Sequence, residues 1–150
     1  VRHMLDDVAT LLAYQAEQAK VTIVRQYDGF PRILASESDL GIVILNLCQN
    51  AIHAMPEGGT LTITAREEHG LVKTSFADTG VGIAPENLQR IFWPFWSKRA
   101  DGSIGTGLGL SICRATVERL GGSISVESTP GRGTTFHVVI PSADSVVKEE

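Results

Sequence analysis

The spacing of apolar residues divides the first third of the chain into two helices and a strand between them. Apolar positions recur at helical intervals over residues 4–20, and residues 21–27 then look extended. Ser36 followed by Asp39 resembles a capping box, which predicts that a second helix begins there. This helix is expected to continue to Met55, because a proline and two glycines follow soon afterwards.

The next part of the chain changes from a helical to an alternating pattern. Apolar and polar residues alternate over residues 60–65 and again in a second run that ends at Asp78, with a turn at residues 69–70 between them. These two runs predict a β-hairpin. A short helix is expected over residues 85–93, where a proline suits the first helical position, and a longer helix over residues 110–120.

Two final strands, residues 123–127 and 134–140, complete the pattern and are joined by a Pro-Gly turn. The sum predicts an α/β (α+β) two-layer sandwich, in which helices pack on one face of a mixed β-sheet. With 150 residues, 43% of them apolar, the chain can bury one hydrophobic core, so residues 1–150 are interpreted as a single domain. Residues 1–3 lack an evident structural role and are interpreted as an expression remnant, whereas the polar tail, residues 141–150, is expected to be loose.

Composition narrows the classes of partner. The formal net charge is −4, and no cluster of Lys and Arg could neutralise a run of phosphates, which argues against nucleic acid. No apolar stretch is long enough to cross a bilayer and no signal-peptide pattern opens the chain, so we expect no direct membrane contact. Cys48 and Cys113 fall within apolar helical patterns, which predicts buried thiols rather than a disulfide or a metal site. This cysteine usage fits a reducing cytoplasm.

Two glycine-rich motifs could contact a nucleotide. Asp78 ends a predicted strand and is followed by Gly80 and Gly82, so its carboxylate could accept a hydrogen bond from an exocyclic amine such as that of adenine. The motif alone fits an ordinary strand-ending turn equally well. Residues 105–110 (GTGLGL) run directly into a helix, whose N-terminal N–H groups and dipole favour phosphate. A flexible surface loop is the alternative for these glycines.

Polar side chains on the second helix suggest a metal or phosphate site. Asn46, Asn50 and His53 share a face that its apolar stripe leaves free. A carboxamide oxygen could coordinate Mg²⁺, which takes few protein oxygens and completes its shell with water and phosphate. A wet helix face would explain the same spacing, and a lone His more often makes an ordinary contact.

Four aromatic residues surround a proline at residues 92–96, directly before a stretch without any period. Core packing is the default role of such aromatics, but here they could also anchor a mobile lid, residues 97–104, that closes over a nucleotide. Lys98 of that lid could reach the terminal phosphate, or it could be merely solvated.

Taken in order, five segments resemble the N box, first glycine box, F box, second glycine box and closing glycine-threonine box of two-component sensor histidine kinases. They are NLCQNAIHAM, DTGVGI, IFWPFWSK, GTGLGL and GRGTTF. The resemblance covers roughly residues 5–140. It implies the Bergerat ATP-binding fold, with ATP and Mg²⁺ as cofactors, and a histidine kinase catalytic domain that phosphorylates a histidine on a separate dimerisation domain, from which a response regulator receives the phosphoryl group.

The resemblance also implies roles for particular residues. Asp78 would bind adenine, Asn50 would hold Mg²⁺, and Asn46, Asn50 and Lys98 would serve catalysis. The remaining nucleotide contacts would come from His53, Gly80, Gly82, Ile83, Phe95, Gly105, Thr106, Gly107, Leu108, Gly109 and Thr134. Position 53 often carries a longer charged side chain in the family, so His53 is a departure from the family pattern.

The phosphoacceptor box of the family has no counterpart in this sequence, so we expect that the chain does not phosphorylate itself. Two alternatives stand beside the kinase: an ATPase of the same fold and a nucleotide-binding module without catalysis. The ATPase relatives carry Glu at the position of Asn46, and a carboxamide is a poor base for activating water. This domain is expected in the cytoplasm, whether or not its parent protein is anchored in a membrane.

Overall fold

The computed structural model describes residues 2–29, 32–33, 35–94 and 109–143, which form four helices and five strands within these ranges. Each predicted helix and strand is present, with ends that shift by a few residues. The elements are α1 Arg2–Gln18, β1 Val21–Tyr27, α2 Glu37–His53, β2 Gly59–Glu68, β3 Leu71–Asp78, α3 Pro85–Leu88, α4 Gly109–Arg119, β4 Ser123–Thr129 and β5 Gly133–Pro141.

The five strands form one mixed sheet in the order β1-β2-β3-β5-β4, which confirms the predicted sheet. Strands β1 and β2 run parallel, and the other neighbouring pairs are antiparallel. The β2–β3 hairpin turns through His69 and Gly70, both at positive φ (54° and 78°), as a two-residue turn between right-twisted strands requires.

Helices α1, α2 and α4 cover one face of the sheet, so the fold is the predicted two-layer sandwich. Helix α2 lies in the middle, with α1 on the β1 side and α4 on the β4 side. Alternate strand residues point toward the helices and form the core together with the apolar stripe of α2. The largest fully buried side chains are Phe76, Leu5, Leu47, Met55, Leu61, Ile63, Val72 and Val117.

Local hydrogen bonds explain where two of the helices begin and end. The Ser36 hydroxyl caps α2 by accepting from Asp39 N at 3.1 Å, as predicted. Helix α2 stops at His53 rather than Met55, and Ala54 is its C-cap. Helix α3 is shorter than predicted, because the bonds that follow it, such as Arg90 N to Asn87 O at 2.8 Å, close tight turns.

The chain ends differ from expectation. Helix α1 begins at Arg2, and the His3 ring lies 3.2 Å from the Asp7 carboxylate, so the first predicted helix starts two residues earlier than expected. The tail was expected to be loose from residue 141, which is wrong for its first three residues. Ser142 and Ala143 are buried, and their N–H groups donate to Gly70 O (2.9 Å) and Arg32 O (2.7 Å). Residues 144–150 lie outside the described ranges.

The two cysteines are buried and unbridged, as predicted. Burial raises the pKa of both the Cys48 and the Cys113 thiol to about 12, so they are neutral at physiological pH. No helix in the described part of the chain is long and apolar enough to cross a membrane.

Candidate nucleotide site

Asp78 is the last residue of β3, where the sheet places it between Leu61 of β2 and Thr134 of β5. Its side chain is 8% exposed. The carboxylate oxygen Oδ1 accepts from Gly80 N at 2.9 Å and from Thr134 N at 3.2 Å. Burial raises the pKa of this carboxyl, and the two backbone hydrogen bonds oppose that rise. Because both bonds end on Oδ1, the second oxygen, Oδ2, takes part in neither.

Backbone packed tightly around Asp78 explains the glycines of the first motif. A Cβ added at Gly80 would lie 2.3 Å from Ala54 O at the end of α2, and one at Gly82 would lie 2.3 Å from Thr129 O. Gly82 also has a φ of +76°, which disfavours any side chain. A Cβ at Gly133 would lie 2.0 Å from Asp78 O. Sequence reasoning quoted the motif that contains Gly133 but did not assign the glycine a role.

The loop that follows Asp78 is fastened on both sides. Val81 N donates to Ala54 O at 2.9 Å, which joins the loop to the C-terminal end of α2. Gly131 N donates to Val81 O at 2.8 Å, which joins the loop to the β4–β5 turn. These two hydrogen bonds restrain the loop, which would reduce the conformational entropy lost if a ligand bound there.

Ser128 of β4 connects three parts of this region, and sequence reasoning missed it. Its hydroxyl accepts from Ile83 N at 2.7 Å, donates to Gly133 O at 3.0 Å and lies 2.8 Å from the Thr134 hydroxyl. Ile83 and Thr134, both predicted to contact the nucleotide, are thus brought together with Asp78. The sequence contains no signal for Ser128, because a serine in an alternating strand is unremarkable.

The polar face of α2 leads toward the same loop. Asn46, Asn50 and His53 are partly buried and follow one another along this face, and Ala54 then contacts Gly80 and Val81. The Asn46 amide donates to Ile42 O at 2.9 Å. His53 also borders a shallow surface depression beside the C-terminal end of α1.

Helix α4 begins at Gly109 next to Asn46. A Cβ at Gly109 would lie 3.1 Å from Asn46 Oδ1, closer than most side-chain contacts. The carboxamide oxygen of Asn46 therefore faces the first turn of α4, where helix N–H groups have no partner within the helix. This brings the N box together with the last glycine of the second glycine motif.

The first aromatic residue of the aromatic motif, Phe92, packs against the core. The Phe92 ring meets Phe136 edge to face at 6.4 Å, and the Arg114 guanidinium lies 5.4 Å from the Phe92 centroid. Trp93 is 56% exposed, with Arg90 6.0 Å from its ring.

Several predicted nucleotide contacts lie outside the described residues: Phe95, Lys98, Gly105, Thr106, Gly107 and Leu108.

The described geometry thus separates two chemical environments. The first is the Asp78 carboxylate, a hydrogen-bond acceptor surrounded by glycine backbone. The second is an amide-rich environment between α2 and the N-terminal end of α4, where the helix dipole favours negative charge. A purine with an exocyclic amine suits the first environment, and a phosphate chain suits the second.

Comparison with known proteins agrees with this description. Residues 35–144 match the family model described as histidine kinase-, DNA gyrase B-, and HSP90-like ATPase. The chain is 46% identical over 111 residues, 73% of its length, to the sensor histidine kinase ZraS of Klebsiella oxytoca, but it spans only 23% of that protein. The sporulation kinase E of Bacillus subtilis is 34% identical over 145 residues, and the chain spans 19% of it.

Solved structures give the same result. The catalytic domain of histidine kinase ThkA superposes with a TM-score of 0.83 at 31% identity, over 93% of this chain and 92% of that one. Full-length ShkA in complex with AMPPNP gives a TM-score of 0.84 at 34% identity, over 94% of this chain and 30% of that one. ThkA in complex with the response regulator protein TrrA matches with a TM-score of 0.79 at 30% identity, over 95% of this chain and 40% of that one.

Proposed function

Because this chain belongs to the histidine kinase-, DNA gyrase B- and HSP90-like ATPase family and is a sensor histidine kinase catalytic domain, we propose that it binds Mg-ATP. It would transfer the γ-phosphoryl group of the ATP to a histidine. The accepting histidine would belong to a separate dimerisation domain. None of the four histidines of this chain has the sequence setting of a phosphoacceptor.

The observation that carries the proposal is the Asp78 carboxylate. It is buried at the end of β3, two backbone N–H groups hold one of its oxygens, and the glycines beside it leave no room for side chains. Burying a carboxylate in this way costs stability, which argues that the group is retained for recognition. AMPPNP bound to ShkA, whose structure aligns over nearly the whole chain, supports an adenine nucleotide as the ligand.

The polar face of α2 has the ligand atoms needed for the magnesium ion that the reaction requires. Carboxamide oxygens would coordinate the ion, and Mg²⁺ takes one or two protein oxygens when water and phosphate complete its shell. Asn50 would hold the ion, one turn beyond Asn46 on the same partly buried face. Held there, Mg²⁺ would neutralise charge on the phosphates.

Positioning is the main contribution of the protein to the proposed transfer. The fastened loop after Asp78 would orient the adenine end, while the N-terminal end of α4 and the polar face of α2 would orient the phosphates for in-line attack by the incoming imidazole. Lys98 would add positive charge at the terminal phosphate. Asn46 would not activate water, because its amide is engaged with Ile42 O and a carboxamide is a poor base.

The partners follow from this role. The phosphoacceptor domain of the parent kinase would dock near the terminal phosphate, and a response regulator receiver domain would take the phosphoryl group from that histidine. A solved complex of ThkA with a response regulator supports the second partner. We place the domain in the cytoplasm, where its substrate ATP is available.

Mg-ATP turnover by the chain alone, at nucleotide concentrations where a separate titration shows the site to be filled, tests the proposal. We expect binding with negligible turnover, followed by phosphotransfer once a histidine phosphoacceptor domain is supplied. Sustained turnover by the chain alone would favour the ATPase instead. Binding without transfer to any supplied phosphoacceptor domain would favour a nucleotide-binding module without catalysis.

A further inference from the structure

We infer that Ser128, which lies behind the proposed pocket, sets the hydrogen-bonding polarity of Thr134 and thereby makes the pocket selective for adenine over purines with a carbonyl at position 6. The inference rests on the proposed nucleotide site. It concerns a positioning residue, because Ser128 acts through Thr134 and not on the ligand itself.

The geometry places four side chains in one row across the sheet. Asp78 is paired with Thr134, and Thr134 is paired with Ser128, so the threonine stands between the carboxylate and the serine. Thr134 is 5% exposed and Asp78 is 8% exposed, and both lie on the face that the helices cover. Ser128 is partly buried on the same face. Leu61 continues the row on the other side of Asp78.

Counting protons fixes the direction of each hydrogen bond in this row. A serine hydroxyl has one proton to donate and two lone pairs to accept with. Gly133 O can only accept, so Ser128 donates its one proton there, at 3.0 Å. Ile83 N can only donate, so Ser128 accepts that bond, at 2.7 Å. The remaining contact, 2.8 Å between the two hydroxyl oxygens, is then satisfied only if Thr134 donates to Ser128.

This direction determines what Thr134 can offer a ligand. Its single proton is committed to Ser128, so its hydroxyl presents lone pairs alone. The neighbouring Asp78 carboxylate, held through Oδ1 by two N–H groups, also presents an acceptor. A purine with an amine at position 6 can donate to such a site. A carbonyl at position 6 finds only acceptors at these two side chains, and an unsatisfied buried polar group weakens binding of such a purine.

Removing the serine hydroxyl would release the constraint. In Ser128→Ala the Thr134 hydroxyl can rotate and donate its proton to a carbonyl, so inosine triphosphate, which has a carbonyl at position 6, gains affinity relative to ATP. We expect the ratio of ATP to inosine triphosphate affinity to fall by about fivefold, the value of one neutral hydrogen bond. Ser128→Thr retains the hydroxyl and should restore the ratio.

A double-mutant cycle tests whether Ser128 works through Thr134. In a Thr134→Val background the hydroxyl that Ser128 orients is gone, so adding Ser128→Ala should change the affinity ratio by less than about twofold. If Ser128→Ala fails to fold, Ser128→Cys replaces it, because a thiol is a weak donor and acceptor and should shift the ratio in the same direction. Circular dichroism and thermal unfolding report the fold of each variant.

The outcomes are distinguishable. A lower ratio in Ser128→Ala that Ser128→Thr restores, with no further effect on Thr134→Val, supports the inference. An equal loss of affinity for both nucleotides, a ratio that Ser128→Thr does not restore, or an undiminished effect in the Thr134→Val background overturns it, because Ser128 would then have only a structural role. Failure of the unchanged chain to bind either nucleotide would instead overturn the proposed function, and this inference with it.

Discussion

Replacing Asp78 by asparagine should reverse the preference of the site at position 6 of the purine. The substitution retains the shape of the side chain but removes its charge and turns one oxygen into an NH₂ group. The structure determines which oxygen is replaced. Gly80 N and Thr134 N both donate to Oδ1, so the amide oxygen of an asparagine has to occupy that position and its NH₂ group takes the place of Oδ2.

The size of the expected loss of ATP affinity depends on whether the asparagine amide can flip. Flipping the amide would leave two backbone N–H groups facing an NH₂ group, at about 1–3 kcal/mol for each unsatisfied donor, so the flip is not available. The adenine amine would then meet a donor instead of a carboxylate. Loss of a charged hydrogen bond, worth about 1.5–3 kcal/mol, together with this donor–donor contact should weaken ATP binding by about 100-fold or more. Inosine triphosphate, which offers a carbonyl, should bind the variant better than ATP does.

Isothermal titration of both nucleotides at neutral pH measures this reversal, and thermal unfolding confirms that the variant is folded. Asp28→Asn is the matched control, because it makes the same chemical change at an exposed residue beyond β1, and its affinities should equal those of the unchanged chain. The reasoning is refuted if Asp78→Asn binds ATP within about threefold of the unchanged chain, since that would mean less than about 1 kcal/mol of recognition resides in the carboxylate.

Two further predictions concern the cost of building the site. Burial raises the pKa of the Asp78 carboxyl above its ordinary 3.8, so the folded chain binds this proton more tightly than the unfolded chain does. The resulting contribution to the free energy of unfolding is fully present below the ordinary pKa and is lost as pH rises through the pKa of the folded state. Asp78→Asn does not titrate and should therefore gain unfolding free energy relative to the unchanged chain as pH rises above about 4, measured by urea denaturation; a constant difference would contradict the burial effect. Gly80→Ala would place a Cβ 2.3 Å from Ala54 O and should lower both nucleotide affinity and, by about 1–3 kcal/mol, unfolding free energy. Gly41→Ala, whose Cβ would meet Met4 Cε at 3.7 Å, is the control and should leave affinity unchanged; an equal loss of affinity in both variants would contradict the role of the Gly80 contact.

The parts of the fold that depend on residues close together in sequence could be predicted from the sequence. A Ser36 cap needs only the N–H of Asp39 three residues later, and the hairpin turn at His69 and Gly70 needs only residues that tolerate positive φ. The alternating strands likewise indicate which of their residues are buried, as for Phe76 and Phe136. In each case the deciding contact lies within a few residues along the chain or follows from a simple period.

The contacts between distant segments could not be predicted in this way. Asp78 accepts from Thr134, 56 residues later, only because β5 lies between β3 and β4 in the sheet. Ser128 accepts from Ile83 N, 45 residues earlier, also because of how distant segments pack, and its own neighbours in sequence give no sign of that contact. The error at the tail also has a long-range cause, because Ser142 and Ala143 are fixed by carbonyls of the β2–β3 turn and of residue 32.

The register of the sheet determines where the proposed recognition site lies relative to the core. Asp78 points toward the helices because it shares its face of β3 with Phe76, and Phe76 lies opposite Phe136 of β5 in the same core. A shift of one residue between these strands would turn Asp78 to the opposite face and separate it from Thr134 N. The proposed nucleotide contact of Asp78 therefore requires the register in which Phe76 lies opposite Phe136. Packing that stabilises the domain also places the carboxylate, so core substitutions that loosen this register should impair recognition before they unfold the chain.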